Sequence, residues 1–188
     1  VEVKISDSVL YSSLNREAGT YGIRSILHPD TTVTGKYPEG LHITNSTIDV
    51  FGDDILLNDI YTSFISNVYT STITVQGNTN IYSTHCRDIN VSNCYIGGQI
   101  NLKQKIDGSA GSYYFLANGN EFNKFLPTGP SVLIENNVKR VSILNNNFFT
   151  GNNNIAIHGG YNNDFITVSG NTCDNTYSRL YANNGVGG

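Results

Sequence analysis

A short phrase recurs six times along the 188-residue chain, and its spacing restricts the fold more than any other feature of the sequence. In each copy an apolar residue precedes a small or polar pair ending in asparagine, and an apolar or aromatic residue follows shortly after. The steps between copies are 22, 26, 27, 27 and 24 residues, because the asparagines are Asn45, Asn67, Asn93, Asn120, Asn147 and Asn171. A period of this length is typical of repeat architectures, in which each unit packs against its neighbours.

A second series, between the copies, predicts that each unit consists of β-strands. Apolar residues alternate over three positions in Ile55/Leu57, Ile73/Val75, Ile100/Leu102, Val132/Ile134 and Ile155/Ile157. Alternation with period two indicates strands. The composition agrees, since the chain has 26 Asn, no Met and only 14% charged residues, and β-branched residues are abundant. We therefore expect an all-β coil of parallel strands, with equivalent residues stacked about 4.8 Å apart and asparagine favoured in the turns.

From about residue 41 to residue 173 the pattern apolar-x-x-Asn-x-aromatic resembles the repeat of right-handed parallel β-helix proteins, the pectin-lyase-like superfamily. Phrases such as Val91-Ser92-Asn93-Cys94-Tyr95 carry the resemblance. Among these proteins, the high Asn, Ser, Thr, Gly and Tyr content with low charge is most similar to bacteriophage tailspikes and receptor-binding domains. The resemblance implies a right-handed parallel β-helix of about six to seven rungs, a homotrimer, and a location in the virion tail or outside the cell.

The domain prediction follows the extent of this repeat. Residues 1–40 are expected to form an N-terminal cap or connector, and residues 41–188 are expected to form the rungs, continued by further chain at the C-terminus. The net charge of −4 gives no basic surface for nucleic acid, and the apolar runs are far shorter than a membrane span. The three cysteines do not have the spacing of metal ligands. We expect no metal, no cofactor, no nucleic acid and no membrane as partners.

Aromatic residues provide the predicted glycan contacts. Two positions after each repeat asparagine stands one member of a predicted column, for which we favour stacking inside the coil: Thr47, Tyr69, Tyr95, Phe122, Phe149 and Cys173. Other tyrosines are expected at the surface, where their flat faces suit sugar C–H groups. Tyr82, Tyr113 and Tyr114, with Lys103, are the predicted substrate-binding residues.

A charged column is the predicted catalytic site. The residues that follow the second-series strands should point outward, and this would place Lys103, Glu135 and His158 on three successive rungs. Segments 103–112 and 124–130 interrupt the repeat beside this column and are expected to project as loops. Glu135 and Asp107 would form a glycosidase pair, with His158 as the third catalytic residue. The alternative is a solvated ladder of charges that only keeps the strand face soluble.

Other acidic residues weaken this assignment. Asp49, Asp53 and Asp54 surround Phe51-Gly52, where we favour an exposed acidic turn. Three functions therefore remain open. The leading hypothesis is a tailspike-type domain that binds a bacterial surface polysaccharide such as a capsule or O-antigen, and whether it also depolymerises this polysaccharide stays open. The second is a non-catalytic carbohydrate-binding or structural module of a spike or adhesin, and the third is a secreted polysaccharide lyase.

Overall fold

The computed structural model describes residues 2–11, 21–25, 39–50, 53–58, 60–76, 87–103, 111–124, 129–150, 155–173 and 179–182. The described residues form strands and turns, and none of them belongs to a helix that is long and apolar enough to cross a membrane. The strands are β1 (Val3–Ser6), β2 (Val9–Tyr11), β3 (Tyr21–Ser25), β4 (Glu39–Thr44), β5 (Thr47–Asp49), β6 (Asp53–Asn58), β7 (Tyr61–Ser66), β8 (Tyr69–Gln76), β9 (Arg87–Ser92), β10 (Tyr95–Lys103), β11 (Gly111–Asn118), β12 (Glu121–Lys124), β13 (Val132–Ile134), β14 (Val138–Leu144), β15 (Asn147–Thr150), β16 (Ile155–Gly159), β17 (Asp164–Ser169), β18 (Thr172–Cys173) and β19 (Arg179–Ala182).

These strands stack in parallel into three walls. Wall A has the order β1-β4-β7-β9-β11-β14-β17. Wall B consists of β2, β5, the first halves of β8 and β10, and then β12, β15 and β18. Wall C consists of β3, β6, the second halves of β8 and β10, and then β13, β16 and β19. The chain passes through walls A, B and C in turn, so the predicted all-β parallel β-helix is confirmed.

The core is built from columns of residues that occupy the same position on successive strands of one wall. On wall A, for example, one column contains Ile43, Ile65, Val91, Ala117 and Ile143, which pair in register and are fully buried. Successive residues of a strand point to opposite faces, so alternate apolar positions face inward on each wall. The second-series pairs predicted from the sequence occupy wall C, where Ile55, Ile73, Ile100 and Val132 form one inner column.

Asparagine recurs at the corner between walls A and B because of the backbone conformation there. At each of the described corners between these walls one residue has a positive φ of 49° to 66°, namely Asp7, Asn45, Asn67, Asn93, Gly119, Asn145 and Gly170. Asn, Asp and Gly tolerate this left-handed conformation best. The next position along the chain faces inward, and on three rungs it is also an asparagine: Asn120, Asn146 and Asn171.

The strand register shows that the six repeat asparagines do not form a single column. Asn45, Asn67 and Asn93 stand in the left-handed column, whereas Asn120 and Asn171 stand one position later, in the inward column. Asn147 stands one position later again, opposite Glu121 on wall B. The sequence period is correct, but its six asparagines occupy three different columns.

The aromatic column is divided in the same way, so the predicted single column is wrong. Tyr69 and Tyr95 pair with Glu121 on the outside of wall B. Phe122 pairs with Phe148, and these two buried rings stack with their centroids 4.6 Å apart. Phe149 is exposed. The expected interior stacking therefore holds for Phe122 but not for the two tyrosines.

The described part of residues 1–40 has the architecture of the rungs that follow it. Strands β1, β2 and β3 pair in parallel with β4, β5 and β6 respectively. Ile5-Ser6-Asp7-Ser8-Val9 takes the corner conformation, with a φ of 51° at Asp7. The solenoid thus begins before residue 41, and a capping or connecting role for this segment stays a prediction.

Candidate functional site

The predicted pairing of Lys103 with Glu135 on adjacent rungs agrees with the register of wall C. Leu102 pairs with Ile134, and the Glu135 backbone N–H donates to the Leu102 carbonyl oxygen at 2.9 Å. The two residues therefore occupy equivalent positions on adjacent rungs, where Lys103 ends β10 and Glu135 follows β13. Both side chains are half-buried.

His158 does not stand in that column, so the predicted three-residue column is wrong. Val132 pairs with Ile157, which places His158 opposite Leu133, two positions before the level of Glu135. The corner after β16 has the same register. The Gly160 N–H donates to the Ile134 carbonyl oxygen at 2.8 Å, and a Cβ on Gly160 would lie only 2.8 Å from the Asn136 backbone nitrogen.

Of the other predicted site residues, two lie outside the described residues, one is buried and one is exposed. Asp107 and Tyr82 lie outside the described residues. Tyr113 is fully buried, so the expectation that it is exposed is wrong; it faces inward on β11 and its hydroxyl donates to the Lys103 carbonyl oxygen. Tyr114, the next residue, is 41% exposed, as expected. The described residues contain no group of three or more His, Cys, Asp or Glu side chains that could hold a metal ion.

Tyr114 belongs to a three-residue surface feature that the sequence did not reveal, the arginine ridge (Tyr114, Arg140 and Phe165). These residues lie on β11, β14 and β17, neighbouring strands of wall A, at the edge where the chain enters the wall. The Arg140 guanidinium carbon is 4.5 Å from the Tyr114 ring centroid and 5.9 Å from the Phe165 ring centroid. Arg140 Nη1 also donates to the Tyr114 hydroxyl oxygen. The guanidinium is thus held against two rings on the solenoid surface.

The backbone of the ridge is left-handed. The φ angles are 44° at Tyr114, 61° at Arg140 and 57° at Phe165, and the same edge has positive φ at Gly40, Thr62 and Asp88. The fold therefore requires this conformation at each of these rungs. For a bulky side chain it is a genuine outlier that costs about 1–2 kcal/mol.

The A–B corner serves as an internal comparison for this edge. All seven left-handed positions of that corner are Asn, Asp or Gly, the residues that adopt the conformation most easily. At the ridge, three successive rungs instead carry tyrosine, arginine and phenylalanine. Residues kept in costly conformations cluster at binding sites and active sites. The contrast makes the arginine ridge a candidate functional site.

Comparison of the chain with protein-family models, with curated proteins and with solved structures finds no match in any of the three.

A second exposed aromatic feature lies on wall B, the tyrosine pair (Tyr69 and Tyr95). The two rings stack with centroids 5.1 Å apart and an interplanar angle of 8°. Each ring covers one face of the other, although Tyr69 remains 43% exposed. Part of the aromatic surface is thus used within the pair. In the arginine ridge, by contrast, Phe165 is 71% exposed.

The predicted acidic turn is wrong for Asp54, which is fully buried. Its Oδ1 accepts from the Val50 N–H at 2.9 Å, and its Oδ2 accepts from the Thr70 hydroxyl at 2.9 Å, from the Thr72 N–H at 3.2 Å and from the Ser71 N–H. Burial raises the pKa of Asp54, and these hydrogen bonds oppose the shift. Asp54 bridges two rungs at the corner between walls B and C, which is a structural role.

One signal in the sequence points to the ridge. Tyr114, Arg140 and Phe165 are 26 and 25 residues apart, steps that match the repeat period. The three residue types differ, however, and a register shift between Ser112 and Phe115 separates Tyr114 from the regular alternation. A search for recurring residue types therefore misses the ridge.

Proposed function

We propose that this chain is a carbohydrate-binding β-helix of the phage-tailspike type, which recognises a bacterial surface polysaccharide through the arginine ridge. The observation that carries the proposal is the left-handed backbone of Tyr114, Arg140 and Phe165, where the chain holds bulky side chains at an energetic cost. Within this proposal the chain is part of a virion-tail or extracellular homotrimer.

The chemistry of the ridge suits a sugar chain. Tyr114 and Phe165 supply apolar ring surface, and the tyrosine hydroxyl supplies a polar group; this combination is common in binding surfaces that have one apolar and one wet side. The rings are fixed on strands of a stacked sheet, and sites on such rigid elements are more precise than sites on loops. A ligand thus meets a preorganised surface and orders few side chains on binding.

The strip beside the ridge favours the same class of ligand. Two residues further along each strand, wall A presents Leu116, Ser142 and Thr167 outward in one column. The side chains of Ser142 and Thr167 are short and carry hydroxyl groups that donate and accept hydrogen bonds. A polysaccharide lying on this strip would place its C–H groups against the ridge rings and its hydroxyl groups over the serine and threonine.

A glycan array of capsules and O-antigens tests the proposal, with the intact chain as the probe. The Tyr114→Ala variant should lose at least about tenfold in affinity for any glycan that binds, equivalent to about 1.4 kcal/mol. Tyr69→Ala is the matched control, since Tyr69 is exposed to a similar extent but lies on wall B. Full binding by Tyr114→Ala, or loss of binding by Tyr69→Ala alone, would contradict the assignment to the ridge.

Cleavage of the polysaccharide is the second candidate function, favoured by the equivalent positions of Lys103 and Glu135 on adjacent rungs of wall C. A glycosidase needs a carboxyl group that acts as general acid or base, and Glu135 is the candidate for it here. In this mechanism Glu135 and Asp107 would form the glycosidase pair. Glu135→Gln should abolish the release of oligosaccharides and leave binding intact. If the wild type binds a glycan without releasing reducing ends or unsaturated products, the chain is a non-catalytic module.

A further inference from the structure

We propose that wall A recognises an acetamido sugar, with the side-chain amide of Asn90 pairing with the acetamido group between Phe64 and Leu116. This inference rests on the proposed glycan-binding function, because it names the class of sugar that the polysaccharide on this wall contains. It is carried by an amide oxygen that has no hydrogen-bond partner on the outer face of the solenoid.

Asn90 lies on the outer face of wall A between two apolar side chains. It belongs to β9, and its partners in the strand register are Phe64 on β7 and Leu116 on β11. Ile89 and Val91, the residues before and after it, are buried in the core. Since successive residues of a strand point to opposite faces, the Asn90 side chain points outward.

The amide oxygen of Asn90 is unsatisfied. Its Oδ1 is buried and accepts no hydrogen bond. Among the described residues four side-chain atoms share this condition, and the one on the outer face of wall A belongs to Asn90; the others belong to Asn58, Ser63 and Ser131. Most buried polar atoms are hydrogen-bonded, because an unsatisfied one destabilises the folded state. The chain thus keeps an asparagine where a leucine of nearly the same shape would leave no polar atom without a partner.

An acetamido group complements this position in both of its chemical parts. The Asn90 side chain offers one carbonyl acceptor and an NH2 donor, so it can accept from the acetamido N–H and donate to the acetamido carbonyl oxygen. The second side-chain torsion of asparagine is broad, and a small rotation turns Oδ1 toward a ligand. Phe64 is 42% exposed and Leu116 is half-buried, so both offer apolar surface to the acetamido methyl group. A sugar hydroxyl has no group that would use this apolar surface.

The position of Asn90 is continuous with the strip described above. Leu116 pairs with Asn90 on one side and with Ser142 on the other, and Tyr114 of the arginine ridge stands two residues before Leu116. Adjacent strands are about 4.8 Å apart, so the Asn90 and Ser142 backbones are separated by roughly 10 Å. A polysaccharide on the strip would therefore reach the ridge and the Asn90 amide together.

The test uses three acetamido glycans, namely oligomers of chitin, heparosan and polysialic acid. Each is compared with its N-deacetylated form and with N-formyl and re-N-acetylated forms prepared from that product, and neutral glucans and galactans complete the panel. We expect at least one acetamido glycan to bind, N-deacetylation to weaken its binding at least about tenfold, and re-N-acetylation to restore it. The N-formyl form keeps both polar groups but lacks the methyl, so its affinity should lie between the two.

Asn90→Leu separates binding from a structural role. This variant should bind the acetamido glycan at least about tenfold more weakly, while its unfolding midpoint stays unchanged or rises, because leucine removes the unsatisfied atom. Asn101→Leu is the matched control. Asn101 also points outward and is half-buried, but it lies on wall C, where its Nδ2 donates to Thr74 Oγ1 at 3.4 Å. It should change the affinity less than about threefold.

Two results would overturn the inference, and they are distinguishable from each other. Binding that is confined to glycans without acetamido groups, or that N-deacetylation and Asn90→Leu leave unweakened, would remove the acetamido selectivity and leave the proposed function standing. Binding of no glycan of this panel, nor of the array of capsules and O-antigens, by a folded wild-type chain would overturn both.

A second copy of the chain is the other occupant that this face could take. Phe64→Ser tests for it, with the oligomeric state measured by sedimentation of the wild type and the variant at several concentrations. We expect the variant to keep the oligomeric state of the wild type and to bind the acetamido glycan more weakly. Dissociation of an oligomer by Phe64→Ser, with acetamido binding unchanged, would assign the face to a second copy and overturn the inference.

Discussion

The side chains of Asn120 and Asn146 form one continuous ladder through the inner corner of the solenoid. Asn146 Oδ1 accepts from the Asn120 backbone N–H and from Asn120 Nδ2, both at 2.9 Å. Asn146 Nδ2 donates to the Ala117 carbonyl oxygen at 3.1 Å and to Asn171 Oδ1 at 2.9 Å. Each amide thus supplies hydrogen bonds that the turn backbone of the neighbouring rung lacks. In a corner closed to water, such groups must be satisfied within the protein.

Asn146→Ala is expected to lower the free energy of unfolding by about 3 kcal/mol, because it leaves the buried Asn120 N–H and the Ala117 carbonyl without these partners. Denaturant titration of the wild type and the variant measures this difference. Asn147→Ala is the control, since Asn147 is the next residue but its side chain is exposed. A loss at Asn146 no larger than the loss at Asn147 would show that the ladder is dispensable.

The two aromatic pairs should differ sharply in their contribution to stability. Phe148→Ala removes a buried ring stacked on Phe122 and should cost about 3–5 kcal/mol of unfolding free energy. Tyr95→Ala removes one ring of the tyrosine pair on the outer face of wall B and should cost about 1 kcal/mol or less. Thermal or denaturant unfolding of both variants provides the comparison. Equal losses would contradict the assignment of the pairs to opposite faces of wall B.

Asp54 should make the stability depend on pH in a defined direction. Its folded-state pKa is raised above the ordinary value of 3.8, so the folded chain binds this proton more tightly than the unfolded chain does. The contribution of Asp54 to the free energy of unfolding is therefore most favourable below pH 3.8 and declines as the pH rises through the folded-state pKa.

The measurement is the difference in unfolding free energy between the wild type and Asp54→Asn across this pH range. We expect the wild type to lose stability relative to the variant as the pH rises. A relative gain would show that the four hydrogen bonds to the carboxylate outweigh its desolvation.

The period of the sequence and the alternation of its apolar residues were sufficient to predict the parallel β-helix. Asn45, Asn67 and Asn93 occupy the corner position at which the backbone must be left-handed, and this position recurs along the described solenoid. The pairs Ile73/Val75 and Ile100/Leu102 mark a core wall, because their spacing matches the strand pleat. Both patterns are local, and both recur often enough to be recognised in the sequence.

The register was predicted less well because a shift of one residue moves a side chain to the opposite face. Asparagine is favoured at the left-handed corner and also in the inner ladder, so residue type alone does not distinguish Asn93 from Asn120. The same ambiguity joined Tyr95 to Phe122 in one predicted column. At His158 the shift is two residues, and the close approach of Gly160 to Asn136 has the same shifted register. Contacts between distant residues decide such positions.

Replacing the three residues of the arginine ridge together by asparagine separates a role in glycan binding from a role in folding. Asparagine suits the left-handed backbone at Tyr114, Arg140 and Phe165, so relief of about 1–2 kcal/mol per residue should offset the lost ring contacts. Unfolding and glycan binding are measured on the same preparation. We predict an unfolding free energy that is unchanged within about 1 kcal/mol or raised, together with loss of glycan binding. A variant that is strongly destabilised and still binds its glycan would show that the ridge serves the fold and would contradict the account.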